Sequence, residues 1–180
     1  MILSKQNEMF LRDVFSCLEG INYCILRNYS SLPYEIGKDI DILVAFDSVI
    51  DAVDRIKSCS KKFSYACSES NNELNGFNLL IQGDDQTINI HLQLWISFET
   101  NIIYRNIPGL SEKIVKTQVN SKTLIIHNCL INIPSEFDEL VLLLRQIEFK
   151  RKQSYEDKIL MLIDLIDNNH IREMKSGLLA

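Results

Sequence analysis

Two aspartates, Asp39 and Asp41, stand on either side of one isoleucine at the start of the apolar run DIDILVAF. Because side chains alternate along a strand, both carboxylates point to the same face of a sheet. Two like charges held this close repel each other unless a cation lies between them. Magnesium binds through one or two carboxylates together with substrate phosphates, so the pair predicts a Mg²⁺ or Mn²⁺ site; acids simply solvated at a strand start are the alternative.

Side chains suited to phosphate precede this pair. Arg27 and Asn28 end an earlier apolar run twelve residues before Asp39, and Lys38 is next to it. The planar guanidinium of arginine matches phosphate oxygens, and the asparagine amide both donates and accepts hydrogen bonds. Residues 29–38 contain Ser, Pro and Gly and are typical of a loop. A pocket with these groups would hold a nucleotide with its metal ion.

A later segment, residues 87–96, alternates between apolar and polar side chains. Its polar face carries Thr87, Asn89, His91 and Gln93. The imidazole of His91 has an ordinary pKa of about 6.5, so it is a candidate general base or a ligand for Mn²⁺ or Zn²⁺. A strand histidine bonded to a neighbour is the alternative. Trp95, in the same segment, fits a core position better than stacking on a base.

The elements that position these residues follow from hydrophobic periodicity and turn residues. We predict a helix at 4–19 ended by Gly20, strands at 21–28 and 39–46, a helix at 48–59 capped by Asp47, a strand at 63–67, a hairpin with strands at 76–82 and 87–96, and short strands within 113–133. In the 39–46 strand we expect the core face to hold Ile40, Ile42, Val44 and Phe46. Asp84 and Asp85 lie in the hairpin turn, and we expect them to serve only that turn.

The C-terminal part is predicted to be helical. Ser135 and Asp138 resemble a capping box before the run at 136–149, and a second apolar run at 155–167 precedes a short helical tail. We therefore predict an α+β fold, a mixed sheet flanked by helices, with a core at 1–134 and a C-terminal helical extension at 135–180 packed on the same domain. These helices either bury against the sheet or form a homodimer interface.

Composition narrows the class of protein. The chain has 180 residues, enough for one domain, and a net charge of −5, which argues against nucleic acid as a partner. Its five cysteines are scattered without a CxxC pair, which is typical of reduced thiols. The N-terminal segment lacks the apolar stretch of a signal peptide, and no run reaches the ~18 apolar residues of a membrane span. We expect a cytoplasmic protein.

The stretch LRNYSSLP followed by DIDILV resembles nucleotidyltransferases of the DNA polymerase β-like superfamily over about residues 21–58. The family pattern is a strand, a Gly-Ser turn, about ten residues and a strand that carries acid-x-acid. Here Arg27-Asn28 takes the place of the Gly-Ser turn, and ten residues, 29–38, separate it from Asp39. The residues of this stretch resemble one group within the superfamily more than they resemble the general pattern. That group consists of nucleotidyltransferase-like proteins that accompany bacterial surface-polysaccharide genes, and its turn commonly carries Arg.

The resemblance implies transfer of a nucleoside monophosphate from a nucleoside triphosphate to a hydroxyl of a small molecule, a glycan precursor or a protein. It implies a Mg²⁺ or Mn²⁺ ion on Asp39 and Asp41. Catalysis would rest on Asp39, Asp41 and His91, and phosphate binding on Arg27, Asn28 and Lys38. The superfamily's third carboxylate is expected near residue 91, where this chain has histidine. An active enzyme, a catalytically inactive nucleotide-binding module and an antitoxin-like modifier of a toxin all stay open.

Overall fold

Helices and strands follow each other irregularly along the chain. The computed structural model describes residues 2–72, 76–94, 121–136, 138–140, 142–143 and 156–177. In chain order the elements are α1 (Lys5–Cys17), β1 (Tyr23–Ile25), β2 (Ile40–Val44), α2 (Val49–Lys62), β3 (Ala66–Asn72), β4 (Gly76–Gln82), β5 (Thr87–Gln93), β6 (Ser121–Ile126), β7 (Cys129–Pro134) and α3 (Glu156–Gly177). Residues 138–140 and 142–143, ahead of α3, are also helical.

Five strands form one mixed sheet in the order β1-β2-β5-β4-β3. Strands β2 and β5 are parallel, whereas the other neighbours in this sheet are antiparallel. The β2–β5 register sets Ile40 opposite Ile90 and Asp41 opposite His91. Strands β6 and β7 form a separate antiparallel hairpin. This register brings the two segments singled out by their polar residues side by side.

The core lies on the isoleucine-rich face of the five-stranded sheet. Ile42 and Ile90 from the sheet are fully buried and cluster with Phe10 of α1 and Ile56 of α2. The alternation of side chains then leaves the polar residues of β2 and β5 on the opposite face. The α+β prediction, a mixed sheet flanked by helices, is confirmed.

Two predictions at the end of β2 are wrong. Phe46 is 79% exposed rather than in the core, because β2 ends at Val44 and strand alternation stops there. The backbone turns instead, with the Ser48 N–H bonded to the Ala45 carbonyl. Ser48, not Asp47, is the N-cap of α2, and its hydroxyl donates to the Asp47 carboxylate rather than accepting from the helix backbone.

Other element boundaries in the structure also differ from the predicted ones. Strand β3 begins at Ala66 and runs to Asn72, later than the predicted strand at 63–67, because α2 continues to Lys62 and a turn follows. The predicted second C-terminal helix and the short tail form one continuous helix, α3. The predictions for Trp95, for strands at 113–120 and for helix at 144–149 lie outside the described residues.

The β4–β5 turn does more than close a hairpin. Asn7 of α1 is fully buried; its side-chain amide donates to the Asp85 carboxylate, and its carbonyl accepts from the backbone N–H of Asp84 at 3.1 Å. The expectation that these acids serve only the turn is therefore wrong. A buried amide needs its hydrogen bonds satisfied, and the turn supplies them while it fastens α1 to the hairpin.

The C-terminal helical residues form a smaller apolar cluster of Leu143, Ile159 and Leu162. Ahead of it, the Ser135 hydroxyl accepts from the Asp138 N–H at 3.2 Å and donates to the Asp138 carboxylate at 2.9 Å, which stabilises a helix start. Within the described ranges, no helix is long and apolar enough to cross a membrane. The division at residue 134 and a homodimer through these helices stay predictions.

Replacing Ile90 with alanine is expected to lower the free energy of unfolding by about 2–5 kcal/mol, because a fully buried side chain leaves a cavity. Urea denaturation measures the change. The matched control is Ile125→Ala on β6, where the side chain is 70% exposed and the expected loss is below about 0.5 kcal/mol. Equal losses at both positions would contradict the assignment of Ile90 to the core.

Candidate metal centre

Strand pairing brings Arg27 to the two aspartates. Strands β1 and β2 are antiparallel, so the end of β1 meets the start of β2, and the backbone N–H of Leu26 bonds to the Asp41 carbonyl at 3.0 Å. Arg27 follows immediately. Its Nε and Nη2 atoms lie 2.6 and 2.5 Å from Asp41 Oδ2, and Nη2 lies 4.0 Å from Asp39 Oδ1. The three residues share one surface of the molecule.

The parallel pairing of β2 with β5 adds His91 to this cluster. Its Nδ1 atom lies 3.5 Å from Asp41 Oδ1 and 3.8 Å from Asp39 Oδ2. The imidazole thus faces both carboxylates instead of turning away, as it could in a protein that had lost the site. Each of Asp39, Asp41 and His91 offers one ligand atom, and these atoms lie within 4.8 Å of one another.

Asp41 is the most enclosed member of the cluster, with 4% of its side chain exposed. Its Oδ2 accepts from Arg27, and its Oδ1 accepts from the Gln93 amide at 2.9 Å. Burial raises the pKa of this carboxyl, but the hydrogen bond with His91 and the charge of Arg27 outweigh burial, so its pKa lies below the usual value. Asp41 is therefore held as a carboxylate, the form that binds cations.

The same contacts act on His91 in the opposite direction. The hydrogen bond with Asp41 raises the pKa of the imidazole, whereas burial and the charge of Arg27 lower it. The effect of the two aspartates is larger, so the pKa of His91 lies above its usual value. Imidazolium is the cationic form, and two neighbouring carboxylates stabilise it. A metal ion would have to compete with that proton for the Nδ1 lone pair.

A pH dependence of stability follows for the protein without metal. Protonated His91 gains from Asp39 and Asp41 only in the folded chain. This stabilisation is complete below the unfolded pKa of about 6.5 and is lost as pH rises through the raised folded pKa. With EDTA present, the excess stability of wild type over His91→Gln should therefore shrink as the pH rises above the unfolded pKa of about 6.5, as measured by urea denaturation. An excess that grows with pH would contradict the contact.

The other two predicted phosphate ligands lie near the cluster but outside its contacts. Asn28 and Lys38 are exposed, and in the described part of the chain neither side chain forms a hydrogen bond or ion pair with Asp39 or Asp41. Asn28 has a φ of 56°, in the left-handed region that Asn tolerates better than most residues. Asparagine thus fits the backbone turn that follows β1.

Two polar residues of β5 take part that the sequence did not assign. Gln93 bonds to Asp41, and the Asn89 Nδ2 atom lies 3.2 Å from His91 Nε2. The Asn89 Oδ1 atom is buried without a hydrogen-bond partner among the described residues. The alternation of polar residues at 87–93 was the available signal, because it places every second side chain on the face that carries His91.

Side-chain contacts also join the loop after Arg27 to the C-terminal helical residues. The Tyr29 hydroxyl donates to Glu139 Oε2 at 2.6 Å, and Lys158 Nζ lies 2.5 Å from Glu139 Oε1 and 4.9 Å from the centre of the Tyr29 ring. Burial and the Glu139 carboxylate raise the pKa of Tyr29, which keeps its hydroxyl a donor. Sequence spacing gives no signal for this contact, because its residues lie far apart in the chain.

Three solved structures are similar to the chain at low sequence identity. One is ANT(2″)-Ia in complex with adenylyl-2″-tobramycin, with 8% identity, a TM-score of 0.49, and coverage of 94% of this chain and 95% of that chain. Another, from Thermotoga maritima and provisionally described as a nucleotidyltransferase, has 15% identity, a TM-score of 0.47 and coverage of 85% and 92%. A solution structure of the antibiotic-resistance factor ANT(2″)-Ia has 9% identity, a TM-score of 0.44 and coverage of 99% and 100%.

Comparison with protein families and with curated proteins finds no match. Structural similarities with TM-scores below 0.5 do not establish a shared activity.

Proposed function

We propose that the chain is a metal-dependent nucleotidyltransferase that moves a nucleoside monophosphate from a nucleoside triphosphate to a hydroxyl acceptor. The observation that carries the proposal is the convergence of Asp39, Asp41 and His91, whose ligand atoms lie within 4.8 Å, with the Arg27 guanidinium beside them. Carboxylate oxygens next to a phosphate-binding cation are what a metal–triphosphate complex requires. The resemblance of residues 21–58 to the superfamily points the same way.

The donor set suits a divalent cation. Two carboxylates and one neutral imidazole provide two negative charges, which a divalent ion balances, and imidazole favours Mn²⁺ over Mg²⁺ relative to a site of three carboxylates. Bound there, the ion would supply positive charge against the triphosphate. Asp39 and Asp41 would hold it, with His91 as the third ligand.

Asn89 supports the role of His91 as a ligand. A metal-binding histidine usually donates its second ring N–H to an acceptor. The Asn89 amide lies 3.2 Å from His91 Nε2, and its Oδ1 atom has no hydrogen-bond partner in the described residues. Turning this amide over would let Oδ1 accept from Nε2–H, which leaves the Nδ1 lone pair toward the two aspartates. Because both ring nitrogens are then engaged, His91 is better placed as a ligand than as a free base.

In the reaction, the acceptor oxygen attacks the α-phosphorus, the bond from that phosphorus to the bridging oxygen breaks, and pyrophosphate leaves. The acceptor proton passes to a base or to water. Arg27, with Asn28 and Lys38 in the adjoining loop, would contact phosphate oxygens and offset their charge. The acceptor is a hydroxyl of a small molecule, a glycan precursor or a protein. Glycan precursors are the first class to test, because residues 26–46 resemble nucleotidyltransferase-like proteins that accompany surface-polysaccharide genes.

An inactive nucleotide-binding module is the second candidate. The observation that favours it is His91 itself, since a carboxylate is expected at that position of the superfamily. Such a module would keep the cation and phosphate contacts and bind nucleotide without turnover.

The test is equilibrium binding of each of the four nucleoside triphosphates with Mn²⁺, Mg²⁺ or EDTA, followed by detection of pyrophosphate with candidate acceptors. We expect binding that needs the metal and transfer with at least one acceptor. Metal-dependent binding without transfer would favour the inactive module. Binding that EDTA leaves unchanged, or no binding at all, would contradict both candidates.

A further inference from the structure

Arg27 is the cationic partner of Asp41, one of the two carboxylates that would hold a metal ion. Its Nε and Nη2 atoms both contact Asp41 Oδ2, at 2.6 and 2.5 Å, and Nη2 also lies 4.0 Å from Asp39 Oδ1. The Asp41 side chain is 4% exposed and that of Arg27 21%. The guanidinium therefore partly covers the carboxylate and is the member of the pair that solvent reaches.

Both oxygens of Asp41 already have partners within the protein. A carboxylate offers about four lone-pair positions. Arg27 Nε donates to Oδ2 and Nη2 lies 2.5 Å from the same oxygen, the Gln93 amide donates to Oδ1, and His91 Nδ1 lies 3.5 Å from Oδ1. A divalent ion on the His91 side of Asp41 would share this carboxylate with Arg27, which contacts its other oxygen. The two cations weaken each other's binding, since like charges a few ångströms apart in a partly buried site repel strongly.

We propose that Arg27 is a built-in counter-ion that competes with the metal for Asp41 and is released when a triphosphate offers it another anionic partner. This inference rests on the proposed function and assigns Arg27 a second role beyond phosphate contact. The consequence is thermodynamic coupling: metal alone binds weakly, whereas metal and triphosphate strengthen each other's binding, because the phosphates remove the competitor.

Arg27→Met separates the two roles, since it removes the charge and the donors but keeps an unbranched side chain. The probes are Mn²⁺ alone, titrated by electron paramagnetic resonance, and ATP titrated by calorimetry at saturating Mn²⁺. We expect Mn²⁺ alone to bind about tenfold tighter than to wild type, and ATP to bind about tenfold weaker. Opposite signs for the two ligands are the signature of a displaced counter-ion.

Arg55→Met is the matched control. Arg55 also makes a paired contact with an aspartate, at 2.8 Å from Asp51 Oδ2, but it lies on α2 away from the cluster. It should leave both affinities unchanged. Urea denaturation checks folding, and Arg27→Gln replaces the methionine variant if that one does not fold, with the same expected signs.

The outcomes separate this inference from the proposed function. Equal or weaker Mn²⁺ binding by Arg27→Met, with ATP binding weakened, would overturn the counter-ion role and leave Arg27 as a phosphate ligand. No Mn²⁺ binding by wild type or by either Arg27 variant would overturn the metal site and this inference together. Tighter Mn²⁺ binding by Arg55→Met as well would attribute the effect to net charge and also overturn the inference.

Discussion

Replacing both Asp39 and Asp41 with asparagine is expected to abolish metal-dependent nucleotide binding and to lower any transfer rate at least about 100-fold. The physical reason is charge. The two carboxylates are the proposed anionic ligands, and the neutral amides that replace them cannot balance a divalent ion. The measurement is a titration of Mn²⁺ and of ATP with Mn²⁺, together with pyrophosphate release under conditions where wild type is active.

The design of this experiment has to separate charge from folding. Asp41 is buried beside Arg27, so its replacement leaves a partly buried guanidinium without its main partner and lowers stability. Urea denaturation of the variant therefore accompanies the titrations. Asp51→Asn/Asp54→Asn on α2 is the matched control, because it makes the same change in net charge at two exposed positions. Nucleotide binding that survives in Asp39→Asn/Asp41→Asn would contradict the assignment of the site.

The second large effect concerns metal preference. Changing His91 to aspartate should shift the cluster from Mn²⁺ toward Mg²⁺ and reduce the ratio of their affinities about tenfold. The substitution exchanges the nitrogen of the proposed ligand for the oxygen that Mg²⁺ prefers. Calorimetric titration of wild type and variant with each ion measures the ratio.

The same variant should be less stable without metal. A third carboxylate within a few ångströms of Asp39 and Asp41 adds repulsion that Arg27 alone does not balance. Saturating Mg²⁺ should then raise the Tm of the variant more than that of wild type, because a ligand that binds only the folded chain stabilises it. His127→Asp, in the β6–β7 turn, is the control. An unchanged ratio of Mn²⁺ to Mg²⁺ affinity in His91→Asp would show that residue 91 is not a ligand.

These expectations differ in how directly the sequence supports them. The alternation in DIDILV places Asp39 and Asp41 on one face, and the alternation at 87–93 places His91 on the polar face of its own strand. Both faces are local properties, because the backbone geometry of a strand sets them residue by residue. The α+β order of elements is local in the same sense, since helical and strand periodicities are visible within short windows.

The ends of strands and helices are harder to predict, because a residue pattern in the sequence can continue past the residue where the strand or helix ends. Phe46 continues the apolar alternation of β2 in sequence, but the chain turns after Val44 and exposes it. Asp47 is a good capping residue by type, yet the helix begins one position later, so Ser48 takes the cap. Residue type alone does not say where a strand stops pairing.

The sequence by itself determined which face of its strand Asp39, Asp41 and His91 each occupy. Only the tertiary structure decided that β2 and β5 are parallel neighbours in a register that sets His91 opposite Asp41. It also decided that Arg27 and Gln93 share the two oxygens of Asp41, and that Tyr29 reaches Glu139. The physical reason is that strand order, register and burial depend on packing the whole core at once, which no local spacing encodes.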